Sequence, residues 1–96
     1  MSYRVLVDDN FHYLDETERY ELGSFEDLES AIRAAKKVVD SFLASEYQPG
    51  ITARQLFKYY LTFGEDPFIL APDQSKAPFS AWEYAQTRCD ELCNLK

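Results

Sequence analysis

The stretch Tyr3-Arg4-Val5-Leu6-Val7-Asp8 decides how this chain folds. Tyr3, Val5 and Val7 alternate with Arg4, Leu6 and Asp8, the period-two pattern of a strand that turns one face to a core. A second strand is expected roughly from Glu18 to Leu22, with Tyr20 and Leu22 on one face and Arg19 and Glu21 on the other. Two hairpin registers join them. In the first, the turn is Asp15-Glu16-Thr17-Glu18 and Tyr13 faces Tyr20, Phe11 faces Leu22, so that Phe11, Tyr13 and Tyr20 lie on the core face. In the second, Val7 faces Tyr20 across a longer loop from Asp9 to Glu18. Loop length favours the first, with a bulge or bend at Asp8-Asp9-Asn10.

Working outward, Ser24 with Asp27 resembles a capping box. Behind it Leu28, Ala31, Ile32, Ala35, Val38, Val39, Phe42 and Leu43 keep helical spacing on one side. Gln48-Pro49-Gly50 breaks the chain. Thr52 with Gln55 starts a second helix, which Gly64 ends, and Ile51 can staple onto Leu56. Its apolar arc, from Ala53 through Leu56, Phe57, Tyr59, Tyr60 and Leu61 to Phe63, spans roughly 200°, about twice the usual stripe of a surface helix. Such a helix packs on two sides or presents aromatics to a partner.

Phe68-Ile69-Leu70-Ala71, between Pro67 and Pro72, suits a short third strand or an extended loop. Ser80 with Glu83 starts a last helix, where Phe79 can staple onto Tyr84 and Trp82, Ala85, Cys89, Leu92 and Cys93 form the apolar stripe. The expectation is one α+β domain over residues 1–96: an N-terminal antiparallel hairpin, two helices, a short third strand and a C-terminal helix, with the helices on one face of a small sheet.

The 96 residues and 11.2 kDa suit one core, since a chain of this size buries about 65% of its surface on folding. The net charge of -7 and pI near 4.5 argue against nucleic acid or an anionic membrane as partner. That charge is local. Residues 8–29 carry nine acids against Arg19 alone, and the rest of the chain is close to neutral. The longest apolar run, Phe68 to Ala71, is far short of the ~20 residues a membrane span needs. With Met-Ser-Tyr-Arg followed by no apolar leader segment, and only Cys89 and Cys93 as cysteines, a cytoplasmic protein is expected.

Chemistry has few candidates. His12 is the only histidine, so any triad or Cys-His pair must use it. Asp8, Asp9 and His12, with Asp15 and Glu16 nearby, could supply metal ligands or acid-base groups. They could do so only if residues 8–12 loop, because an extended chain holds Asp8 and His12 about 13 Å apart. Cys89 and Cys93 share the apolar stripe of the last helix and read as small hydrophobes. Gly23, Gly50 and Gly64 stand alone at element boundaries, with no phosphate loop, and no cofactor is expected.

The surplus acid and aromatic residues point elsewhere. Asp15, Glu16, Glu18 and Glu21 form an acidic hairpin, and Tyr59 and Phe63, one turn apart at the margin of the wide arc, are candidates for an exposed patch. The alternative is that the 68–71 segment or the last helix covers them. The first functional reading is a non-enzymatic module binding a protein partner or a second copy of itself. The second is a metal or acid-base site at Asp8, Asp9 and His12. The third is an acidic mimic of nucleic acid.

The segments Val7-Asp8-Asp9-Asn10-Phe11-His12-Tyr13, Glu18-Arg19-Tyr20, Gly23-x-Phe25, Gly64-x-Asp66-Pro67-Phe68-Ile69 and Pro78-Phe79-Ser80-Ala81-Trp82 resemble those of a small family of uncharacterised bacterial proteins. The resemblance spans most of the chain. It implies a bacterial origin and no mechanism.

Overall fold

A computed structural model describes residues 2–9 and 19–94, with Asp9 and Asn94 described by backbone alone. The order is β1 (Tyr3–Asp9), β2 (Tyr20–Phe25), α1 (Leu28–Glu46), α2 (Ala53–Phe63), β3 (Glu65–Leu70) and α3 (Ala81–Asn94). The strands form an antiparallel sheet in the order β2-β1-β3, so β1 is central. The fold is α+β. Among the described residues no helix is long and apolar enough to cross a membrane.

The alternation in β1 behaves as expected, with Val5 and Val7 at 0% and 1% exposure. The favoured register does not hold. Val7 pairs with Tyr20, as in the second register, and Phe11, Tyr13 and residues 15–18, on which the first depends, lie outside the described residues. The physical reason is that loop closure is a weak constraint: lengthening the connection severalfold costs only about 1 kcal/mol. Pairing β1 with β2 over Tyr3–Val7 and with β3 over Arg4–Asp9 outweighs that.

The register also shifts between Val5, opposite Gly23, and Leu6, opposite Glu21, leaving Leu22 as the extra residue of a bulge. The bulge changes which side each β2 residue faces. Glu21 comes onto the side of Arg4 and Leu6, while Tyr20 comes onto the side of Val7. Tyr20 is 45% exposed rather than part of the core, and its hydroxyl donates to Glu65 Oε2 at 2.9 Å.

Other boundaries move for similar reasons. Ser24 is paired with Arg4 inside β2, so Asp27 caps α1 instead, accepting from the Ser30 amide at 2.7 Å. The third strand begins at Glu65, and Pro67 lies within it opposite Val7. A proline is tolerated there because β3 is at the sheet edge. On α3, Ala81 is buried and Trp82 is 40% exposed, which reverses the expected stripe at its first turn. The α2 capping box forms in full.

Two clusters make the core, and α1 contributes to both. Its first half packs Ala31 and Ala35 against Val5 and Ile69 of the sheet. Its second half packs Val39 and Leu43 against Leu56 and Tyr60 of α2 and Ala81, Ala85 and Cys89 of α3. A polar bridge accompanies the second cluster, with Tyr84 Oη donating to Asp40 at 2.8 and 3.0 Å and Arg88 Nε donating to Asp40 at 3.0 Å.

A single residue, Gly64, joins α2 to β3. A side chain there would meet the Tyr60 ring at 2.6 Å and the Tyr60 carbonyl at 2.7 Å, and Tyr60 is fully buried with its hydroxyl donating to the Glu65 carbonyl at 2.7 Å. Gly64→Ala is therefore expected to cost about 2 kcal/mol in chemical denaturation. Gly23→Ala, whose added methyl would meet only the Phe25 ring at 3.7 Å, is expected to stay within about 0.5 kcal/mol. Equal effects would mean that the close approach at Gly64 is not what shapes this joint.

Candidate functional site

The side of the sheet carrying Arg4, Leu6 and Asp8 collects ionic groups from all three strands. Glu21, diagonal to Arg4 because of the bulge, accepts from its Nε and Nη2 at 3.0 and 2.7 Å. Both partners are about two-fifths exposed, so this pair orients side chains more than it stabilises. Asp8 is held more firmly. The Arg19 guanidinium, just before β2, donates to both its carboxylate oxygens at 2.6 and 3.2 Å, and the Asp8 side chain is only 18% exposed.

Asp66 stands directly opposite Asp8 across the β1–β3 ladder. Burial pushes its carboxyl up to about 6, the Asp8 carboxylate adds to the rise, and Lys76 offsets part of it. Lys76 is placed by the turn after β3, where Asp73 accepts from Ser75 and the chain folds back to pair Lys76 with Leu70. From there its ammonium sits 5.0 Å from the Phe68 ring centroid, and Arg19 is also 5.0 Å from that ring. Both cations lie at cation–π distance from one phenyl ring. Chemically this is a carboxyl pair with one member bonded on both oxygens by Arg19 and the other, Asp66, able to hold a proton close to neutral pH.

Of the sequence-predicted residues, Asp8 lies in this cluster and Glu21 in the neighbouring ion pair. Asp9 ends β1 opposite Glu65. His12, Asp15, Glu16 and Glu18 lie outside the described residues. Among the described residues no three His, Cys, Asp or Glu side chains come together as metal ligands. Cys89 is buried, and desolvation first, then Cys93 and Asp90, pushes its thiol up to about 11, as suits a core side chain. Tyr59 and Phe63 are 44% and 58% exposed, so neither β3 nor α3 covers them.

Sequence reasoning missed two features. Asp66 is not singled out by any local pattern, because only the β1–β3 register brings it to Asp8. The second is a mostly apolar groove of about 750 Å³ between β2 and α1, lined by Leu22, Phe25, Val38 and Phe42 with Lys37 and Glu65 among its polar residues. Leu22 enters it through the bulge, which no local pattern signals.

The raised Asp66 pKa has a definite consequence for stability. Between the ordinary aspartate value of 3.8 and about 6 the folded chain binds more proton than the unfolded one, so stability falls as pH rises through that window. Asp66→Asn is expected to flatten this dependence and to raise stability at pH 7.5 by about 1 kcal/mol, after allowance for solvent screening of a partly exposed group. Denaturation curves at pH 4.5 and 7.5 test it. A variant with the wild-type pH profile would remove Asp66 as its source.

The chain matches no protein-family model, and a search of curated proteins finds no match.

Proposed function

We propose that this chain is a non-enzymatic interaction module of a bacterial cytoplasm, binding a protein partner or a second copy of itself. The observation that carries the reading is the exposure of Tyr59 and Phe63, at 44% and 58%, one turn apart on α2. Large aromatics left outside a core at this spacing are the residue type that anchors interfaces. The finer architecture that goes with it is a set of helices on one face of the sheet, with the ionic side opposite. The acidic residues of 8–29 would then steer a cationic partner and determine its approach rate more than its affinity.

The carboxyl pair of Asp8 and Asp66 supports an acid-base reading second, with Asp66 in place of Asp9 and His12. It ranks lower because Asp8 is already occupied by Arg19 on both oxygens. The nucleic-acid mimic gains least, since Asp8 and Glu21 are each neutralised by an arginine.

The double substitution Tyr59→Ser/Phe63→Ser is expected to leave thermal stability within a few degrees, because neither ring belongs to the buried core clusters, and to weaken partner capture or self-association by about tenfold or more. Affinity purification from a native bacterial host and sedimentation at low and high salt read both. Undiminished capture and association by the variant would remove the basis of the reading.

A further inference from the structure

We infer that the groove between β2 and α1 is a self-pairing surface, on which a second copy of this chain adds its own β2 antiparallel to β2 of the first. The inference rests on the self-association half of the interaction reading and assigns it a surface distinct from Tyr59 and Phe63.

Three observations lead to it. First, β2 is an edge strand: β1 pairs with it on one side, and among the described residues no strand pairs with it on the other. Such an edge presents unpaired backbone donors and acceptors that a further strand can satisfy. Second, apolar surface lies beside that edge. Leu22 is 43% exposed, and with Phe25 from β2 and Val38 and Phe42 from α1 it lines the groove.

Third, the charges are arranged to suit a two-fold. Phe25 packs against the cluster of Val5, Ala31, Ala35 and Ile69, so the Phe25 end of β2 lies by the first half of α1, and Lys37 lines the same groove. Tyr20 donates to Glu65, and Tyr60, whose hydroxyl bonds the Glu65 carbonyl, meets Phe42 edge-on at 6.0 Å. Glu65 therefore marks the opposite end, by Phe42, between one and two helical turns from Lys37. A two-fold between Leu22 and Gly23 would set Tyr20 opposite Phe25 and Glu21 opposite Ser24, with no like charges face to face. It brings Lys37 of each copy towards the Glu65 end of the other, and that contact is made twice.

An isologous interface needs a surface complementary to itself. A cation at one end and an anion at the other, flanking an apolar centre, meets that requirement under antiparallel pairing. An unrelated extended peptide would have to supply this dipolar pattern independently. The product is a continuous sheet across both copies, with the two Leu22 side chains near the axis.

Sedimentation equilibrium of the full chain at physiological salt tests this, with circular dichroism to confirm the fold of each variant. The wild type is expected to dimerise, and Leu22→Lys, Lys37→Glu and Glu65→Lys each to raise the dissociation constant by about tenfold or more. The double variant Lys37→Glu/Glu65→Lys, which exchanges the two charges, is expected to recover to within about threefold of wild type. A dimer lost on Tyr59→Ser/Phe63→Ser but untouched by these changes would overturn the inference and leave the interaction reading standing. A chain that stays monomeric overturns the inference, and partner capture then decides the interaction reading separately. Failure of the exchanged pair to recover would overturn the charge arrangement that defines the two-fold.

Discussion

Everything in this domain depends on enclosing two valines. Val5 and Val7 are 0% and 1% exposed in a strand that is paired on both edges, and burying each contributes about 1.5–3 kcal/mol. A one-residue slip in β1 would send both to the opposite face and bring Arg4, Leu6 and Asp8 into the core. The register with β3 is unbroken from Arg4 to Asp9. The register with β2 therefore has to absorb any mismatch, and it does so at Leu22. From that single extra residue follow the Arg4–Glu21 pair, the Tyr20–Glu65 bond and the lining of the groove beside α1.

The second organising element is α1, nineteen residues long and shared by both clusters. Small residues, Ala31 and Ala35, face the sheet, where strands and helix approach closely. Larger ones, Val39 and Leu43, fill the space among the helices. The same helix carries Asp40, whose carboxylate takes bonds from Tyr84 and Arg88 and so limits how α3 can rotate. That orientation buries Ala81 and leaves Trp82 outward. A mutation on α1 is thus felt by both clusters, and one on β2 chiefly by the sheet.

Local features of the fold were legible in the sequence, and non-local ones were not. The α2 cap at Thr52 and Gln55, the stop at Gly64 and the stripe of α1 each follow from residues within a turn or two of one another. The exposed pair on α2 was legible for the same reason, as an arc too wide for one packing partner. The β1–β2 register departs from the one that loop length favours, because the cost of a longer connection grows only logarithmically. Asp66 could not be placed opposite Asp8 without the register between β1 and β3, strands separated by β2 and two helices. Trp82 fits an apolar stripe by spacing alone, and only the contacts of Tyr84 and Arg88 with α1 decide otherwise.

Backbone nuclear Overhauser effects across β1 and β2 test the central constraint most directly. Cross-strand contacts are expected between Val7 and Tyr20 and between Leu6 and Glu21, with an interruption at Leu22 before Gly23 meets Val5. Contacts from Tyr20 to Tyr13, or an unbroken ladder through Leu22, would contradict it. The bulge, the ion pair of Glu21 and the groove beside α1 would then lose their common cause.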